Sequence, residues 1–399
     1  MLRVVTLSTL FPNAIHPTFG IFVENQTLRL ASCEGVDLRV VNPIAVPPFP
    51  FNRHSRYRER DRLMQEETWK GLRIARPQFK IIPGLSGVFN SSSLLYAAQR
   101  VLRRWWDEGF AFDVIDAQFF YPDGPAASWL ASEFRVPFSI KARGADIHYW
   151  GSRAGCRRQI LAAAAEASGL LSVSQSLRRD MASMGIDESK IKVHYTGVDL
   201  ERFRPIGLDE RAAAKSALGV TGALVVSVGA LIPRKGHDVL IEAMAKIDGV
   251  TLLVVGEGPE QPHLEATVRR LRLTQRVRLL GNVPHARLPS IFGAADVMAL
   301  ASKSEGLANV WVEALACGTP IIIPDVDGAK EVLDRPEAGI LVRDRTPAAF
   351  AEAICALLAH RPAPEAVRFC AERFNWQKNT SALYEHLMTL KKSQFCSQN

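Results

Sequence analysis

A recurring unit constrains this chain more than any other feature. A short β-branched or leucine-rich run is followed by a loop carrying Gly, Pro or Asp, then by a stretch with apolar residues at helical spacing. In the first half the runs fall at 2–7, 37–41, 113–117, 136–140, 169–173 and 191–194. A second series begins at 223–228 and continues at 251–255, 277–280, 297–300, 320–323 and 340–342, with helical patterns such as 237–246 and 261–271 between them. Near-continuous apolar strands alternating with helices predict parallel sheets covered on both faces. The restart after Thr196-Gly197-Val198-Asp199 and Phe203-Arg204-Pro205 places a linker near 197–206. The expected class is therefore α/β, with two doubly wound Rossmann-like domains, 1–200 and 206–375. Sheets of this kind bind ligands at the carboxyl ends of their strands, in a cleft. The stretch from Trp376 has no strand of its own and is expected to pack as a crossing helix.

Composition removes several classes. A length of 399 residues exceeds one comfortable core. With 47% hydrophobic and 23% charged residues, the chain can bury enough apolar surface to order itself. No apolar run approaches the roughly 20 residues of a membrane span. The apolar start is broken by Pro12, Asn13 and His16, so it reads as a first strand and not a signal peptide, and a cytosolic location is expected. Cys33, Cys156, Cys317, Cys355, Cys370 and Cys396 are scattered, a spacing that offers neither a zinc site nor a disulfide framework. The formal net charge is +8, and residues 51–80 carry nine Lys or Arg against four acids. That excess favours anionic partners: nucleic acid, phosphorylated substrates or the inner membrane leaflet.

The most informative segment runs from Ser304 to Pro320. Gly318 and Pro320 stop a helix in the expected order, so the helix spans about 308–317 with Glu305 and Gly306 in the loop before it. Free N–H groups and the positive dipole end make its start, at Gly306, Leu307, Ala308 and Asn309, a phosphate site. Glu313 lies about four residues along, a rise of roughly 6 Å. A carboxylate there accepts hydrogen bonds from both hydroxyls of a ribose while phosphates sit at the helix start. Glu305 would face the other end of the ligand. The plainer reading is that both glutamates only favour the dipole or solubility.

This segment resembles the glutamate–seven–glutamate motif of retaining glycosyltransferases with the GT-B fold, in the family 4 group. Other blocks match in order across nearly the whole chain. Phe11-Pro12 through Val23 resembles that family's glycine-containing first loop, and Arg143-Gly144-Ala145-Asp146 its His-Gly-x-Asp segment. His194 to Asp199 with Phe203 resembles its linker block, and Val228-Gly229-Ala230-Leu231 with Arg234-Lys235-Gly236 its diphosphate-binding block. Gly256-Glu257-Gly258-Pro259 and Gly281-Asn282-Val283 complete the series. The resemblance implies a donor-binding second domain and an acceptor-binding first domain onto which 376–399 crosses back. It also implies a diphosphate held by Lys235, a base held through backbone groups at Val283, and a nucleotide-sugar substrate with no cofactor and no metal. The donor phosphate would itself serve as base for the incoming hydroxyl.

Several residues depart from the pattern or admit two readings. Arg234 and Lys235 follow a strand and precede a helix at the cleft edge, where they suit a pyrophosphate or form an exposed basic turn. Ala230 stands where the family often has an arginine, and Arg234 is expected to substitute. Gly256-x-Gly258 lacks the third glycine of a dinucleotide fingerprint and reads as a close-approach loop beside a phosphate or base. Asp325-Val326-Asp327 reads as a metal-binding pair or as a turn with an Asp cap before Gly328. On the acceptor side, Gly20 opens a helix whose N-terminus would meet the donor phosphate. Arg143 replaces a histidine and cannot act as a base. Asp146 and His148 are candidates for polar contacts. Residues 91–109, with Trp105, Trp106, Arg100, Arg103 and Arg104, read as an interfacial membrane helix or as an ordinary helix over the first sheet.

The expected activity is retaining transfer of a sugar from a nucleotide diphosphate to a glycan or lipid-linked acceptor, in exopolysaccharide, capsule or cell-envelope synthesis. Peripheral contact with an anionic membrane and no nucleic-acid partner accompany it. The alternatives are a non-catalytic nucleotide-sugar sensor and a basic nucleic-acid-binding protein, for which no recognition motif is present.

Overall fold

Strand formation follows the apolar runs closely in a computed structural model, which describes residues 1–54, 57, 59–82 and 87–397. The chain divides into two units, Met1–Thr196 with Trp376–Asn399, and Gly197–Asn375. Among the described residues, unit 1 contains β1 (Leu2–Leu7), β2 (Val36–Val41), β3 (Ile44–Val46), β4 (Glu66–Trp69), β5 (Leu72–Ala75), β6 (Gln78–Lys80), β7 (Val114–Ala117), β8 (Phe138–Ala142), β9 (Gly169–Ser172) and β10 (Ile191–Val193). Its main sheet has the order β10-β9-β8-β7-β1-β2-β5-β4. β1 pairs in parallel with β2 from Leu2↔Val36 to Leu7↔Val41, and with β7 on its other side. One face is covered by the helices Asn90–Asp107, Asp123–Phe134 and Ala154–Glu166, which bring Leu94, Leu102, Trp105, Leu130 and Ile160 into a core with Val5 and Ile115. On the other face, Val23 and Leu30 of Ile21–Ala31 and Leu383, Leu387 and Leu390 of Trp376–Ser397 pack with Leu2 and Val4. β1 is thus buried on both sides, which explains why Leu2, Val4, Val5 and Leu7 are apolar.

Unit 2 contains β11 (Ala223–Val228), β12 (Val250–Val255), β13 (Val277–Leu279), β14 (Val297–Ala299), β15 (Ile321–Pro324) and β16 (Gly339–Val342). They form a sheet of order β13-β12-β11-β14-β15-β16, parallel throughout. The helices His237–Met244, Gln261–Arg270 and Pro347–Ala359 supply Leu240, Met244, Leu264, Phe350 and Ile354 to the core over Val225 and Leu252. The helices Leu208–Ala217 and Asn309–Ala316 pack against Leu288–Ala294, which in turn lies against β11.

Two expectations need correction, and one open choice is decided. The strand expected at 136–140 is Phe138–Ala142, because Pro137 carries no N–H for the ladder. The basic stretch 51–80 holds β4, β5 and β6, which the sequence reading lacked. β4 runs antiparallel to β5, with Lys70 and Gly71 both at positive φ in the turn between them. Its cations are partly matched: Arg76 bonds Glu67 at 2.6 Å and Arg73 bonds Glu108 at 2.9 Å. Ser55, Arg56 and Arg58 of that stretch lie outside the described residues. The helix Asn90–Asp107 is an ordinary cover helix, since Trp105 is fully buried and Trp106 packs edge-on against Phe112 at 5.1 Å. Its Arg103 pairs with Glu133, and Arg104 pairs with Glu66. No helix among the described residues is long and apolar enough to cross a membrane.

Candidate functional site

Where the strand order of a doubly wound sheet reverses, the loops after two neighbouring strands splay apart and leave a crevice. In unit 2 this point lies between β11 and β14. The loop after β11 begins with Gly229 and ends in the short turn Pro233–Lys235, while the loop after β14 carries Ser302, Ser304 and Glu305. Lys235 Nζ donates to Glu305 Oε1 at 2.5 Å, Arg234 Nη1 lies 3.2 Å from the same oxygen, and Ser302 Oγ donates to it at 2.8 Å. Arg234 also donates to the Ser304 carbonyl at 2.6 Å, and the Lys303 N–H donates to the Arg234 carbonyl at 2.7 Å, so the two loops are laced together. Burial on its own raises the Glu305 carboxyl. The charges of Lys235 and Arg234, with bonds from Lys235 and Ser302, outweigh burial and hold it below its ordinary value. Glu305 is therefore an anion at neutral pH, and the two cations share it. Lys235 keeps 13% of its side chain exposed and Arg234 43%, so both can reach a ligand.

The helix Asn309–Ala316 begins beside this cluster in sequence. Its N-cap, Ala308, is extended and supplies no side-chain cap, leaving the first N–H groups without the partner a Ser or Asp would give. Glu313, in the second turn, accepts from His285 Nε2 at 2.8 Å. His285 follows Val283 in the loop after β13, and nothing in the sequence pattern marked it, because no spacing rule links positions 28 apart. Gly256 and Gly258 lie tightly against the protein's own chain. A Cβ on Gly256, at φ +141°, would stand 1.9 Å from the Gly229 carbonyl, and one on Gly258 2.2 Å from that of Leu231. Their close approach is to the protein's own backbone, and it fixes the Gly229 loop. Asp327, at φ +28°, accepts the Glu305 N–H at 3.0 Å, and Asp325 pairs with Lys330 at 2.9 Å. Asp327 thus shapes the Glu305 loop, while Asp325 pairs with Lys330 in the segment after it. Among the described residues no group of three or more His, Cys, Asp or Glu assembles to hold a metal ion.

In unit 1 the strand order reverses between β1 and β7. Gly20, at φ +72°, starts the helix Ile21–Ala31, and a Cβ there would meet the Leu10 backbone at 2.5 Å. Arg143, after β8, stacks its guanidinium 4.7 Å over Phe22 of that helix and donates to the Gln118 carbonyl at 2.9 Å. Burial lowers its pKa to about 10, so it stays cationic. Asp146 departs from the expected ligand contact. It is fully buried and accepts N–H bonds from Phe120 at 2.8 Å and Arg143 at 3.0 Å, which makes it a brace for the Arg143 loop. His148 is exposed and faces Asp180 at 3.1 Å, away from that brace. Sequence reasoning also missed a buried polar group beneath Arg143. Lys141 donates to Gln26 at 2.8 Å and to His194 Nδ1 at 2.7 Å, and Gln26 donates to Gln118 at 2.9 Å. Burial holds the Lys141 amine far below its ordinary pKa. A lysine at a strand end gives no sequence sign of being inside.

Two family models match the chain: "Glycosyltransferase Family 4" over residues 23–202 and "Glycosyl transferases group 1" over residues 222–360. TuaC of Bacillus subtilis (strain 168), a glycosyltransferase assigned to teichuronic acid biosynthesis, is 26% identical over 403 residues, covering 98% of this chain and 100% of that one. A D-inositol 3-phosphate glycosyltransferase of Segniliparus rotundus is 36% identical over 214 residues, 49% of this chain and 46% of that one. The chain thus aligns with about half the length of that relative. Among solved structures, sucrose-phosphate synthase from Thermosynechococcus elongatus superposes with a TM-score of 0.77 at 20% identity, covering 98% of this chain and 100% of that one. HepE of Anabaena, solved with UDP-glucose, gives 0.75 at 18% identity with the same coverage.

Proposed function

Because this chain belongs to glycosyltransferase family 4, among the group 1 glycosyl transferases, and is an enzyme of the GT-B fold, we propose that unit 2 binds the nucleotide-diphosphate-sugar through the Lys235–Arg234–Glu305 cluster. One observation carries the reading: two cations converge on a single carboxylate at the topological switch point of the sheet, in the loops leading to an uncapped helix N-terminus. The diphosphate takes Lys235 and Arg234 as counter-charges, and the N–H groups at Asn309 point toward it. Glu313 accepts from the ribose hydroxyls and Val283 lies beside the base. Glu305, released from the cations, orients the sugar.

The chemistry asked of these groups is electrostatic. As the anomeric bond to the diphosphate oxygen breaks, negative charge grows on that oxygen, and cations already in place stabilise it without reorganising. Transfer proceeds with retention, and a donor phosphate oxygen takes the proton of the incoming hydroxyl. Unit 1 receives the acceptor, with Gly20 giving the helix start room to approach and Arg143 held on the Phe22 ring in place of a histidine. The acceptor belongs to a bacterial envelope, capsule or exopolysaccharide polymer. Similarity to TuaC along the whole chain supports that choice. Peripheral contact with an anionic membrane falls to exposed Ile82 and Phe89, which share a cleft with Lys80.

Thermal stabilisation by UDP-, GDP- and ADP-sugars tests the donor class, since a ligand at 100 times its Kd adds about 2.7 kcal/mol. Lys235→Ala should abolish most of that stabilisation and lower transfer at least tenfold. Transfer within a few-fold of wild type would overturn the diphosphate assignment.

A further inference from the structure

His285 is the one neighbour, among the described contacts, that grips the Glu313 carboxylate. Its Nε2 stands 2.8 Å from Oε1, and both side chains are mostly covered, at 18% and 12% exposure. An ionised carboxylate only accepts, so Nε2 carries the proton and donates. The opposite nitrogen, Nδ1, is sealed from solvent and has no hydrogen-bond partner among the described residues. No second bond therefore competes for the ring. Phe203, 1% exposed, holds it from the side at a centroid distance of 5.4 Å and a tilt of 55°. Phe203 is itself fixed through its carbonyl, which accepts from Arg368 at 2.8 Å. A glutamate side chain has three rotatable bonds and spreads over several rotamers when nothing holds its head. Here one oxygen is pinned and Oε2 is left to a ligand.

We propose that His285 is a positioning residue for sugar-hydroxyl recognition. It locks the Glu313 carboxylate so that Oε2 meets the cis-diol of the donor's ribose, and the enzyme's preference for ribonucleotides depends on it. The inference rests on the reading of Glu313 as the ribose ligand.

The test compares uridine, guanosine and adenosine diphosphates with their 2′,3′-dideoxy analogues by calorimetric titration of the full chain. Wild type should favour the ribonucleotide, and Glu313→Ala should remove the preference. His285→Ala should weaken ribonucleotide binding about tenfold, equivalent to about 1.4 kcal/mol, and leave the dideoxy analogue unchanged. His285→Gln, whose amide reaches the Nε2 position, should stay within about threefold of wild type. His285→Asn fills space but stops short of Glu313 and should behave as Ala, which separates positioning from packing. If wild type does not discriminate, the ribose assignment of Glu313 fails. If wild type and Glu313→Ala behave as stated but His285→Ala and His285→Asn keep the full preference, the role of His285 alone is overturned.

Discussion

Replacing Glu305 with Gln keeps the side-chain shape and removes the charge that Lys235 and Arg234 share. Loss of one partner from a buried ion pair costs about 3–5 kcal/mol. The low end applies, because Lys235 keeps 13% exposure and Arg234, at 43%, is largely screened by solvent. The amide oxygen still accepts from Lys235 and recovers about 1 kcal/mol, leaving a deficit of about 2 kcal/mol. At about 2–4 °C per kcal/mol for a unit of this size, unfolding should fall by about 4–8 °C. Differential scanning fluorimetry reads this directly. A nucleoside diphosphate should then stabilise the variant more than wild type, because the anion no longer competes with Glu305 for the cations. Turnover should fall even though the nucleotide binds more tightly. Acid gives a second readout. Burial raises the Glu305 carboxyl, but the two cations more than reverse this and place its folded pKa below the ordinary 4.5. Its stabilisation is complete above that value and is lost as pH drops through the lower folded one, so the gap between wild type and variant closes in acid. Equal melting of the two proteins at pH 7, with equal gains from the nucleotide, would refute the reasoning.

Gly256→Ala places a methyl 1.9 Å from the Gly229 carbonyl at a left-handed φ. It should lower both the melting temperature and nucleotide affinity, measured by fluorimetry with and without ligand. Asp123, fully buried and accepting the Thr9 N–H at 2.9 Å, has its pKa raised by burial to about 7. An acid whose folded pKa is raised loses stability as pH rises toward that value, so Asp123→Asn should gain on wild type in melting temperature between pH 5 and pH 8. Trp105→Ala empties a fully buried position and should cost about 3–5 kcal/mol in denaturant titration, leaving binding to anionic vesicles to the folded protein unchanged. Transfer assayed in excess EDTA should proceed at the untreated rate, since Asp325 and Asp327 are bound to Lys330 and the Glu305 N–H.

The strands of both doubly wound sheets are legible because parallel strands are buried on two faces and write themselves as largely apolar runs. Gly318 and Pro320 mark their helix end for equally local reasons. β4 and β5 escaped because a half-exposed hairpin alternates, and Glu66-Glu67-Thr68-Trp69 against Leu72-Arg73-Ile74-Ala75 looks like a charged loop until it pairs. In the candidate site, sequence placed Lys235 and Arg234 at the carboxyl edge of the second sheet and Glu305 in the loop before the helix. It could not show that Lys235 and Glu305, 70 positions apart, bond each other. Asp146 looked available because carboxylates usually face water, and only the fold reveals the N–H groups that draw it inward.

Unit 1 closes with residues made only after the whole of unit 2. Leu383, Leu387 and Leu390 complete the layer over Leu2, Val4, Val23 and Leu30, and Lys391 bonds the Met1 carbonyl at 2.8 Å. A ribosome adding about 5–20 residues per second needs roughly 10–40 s to pass through Gly197–Asn375. Throughout that interval the nascent amino-terminal sheet waits with an oily flank unsealed, so a message cut short before the helix Trp376–Ser397 yields a sticky, aggregation-prone product even with every site residue already translated.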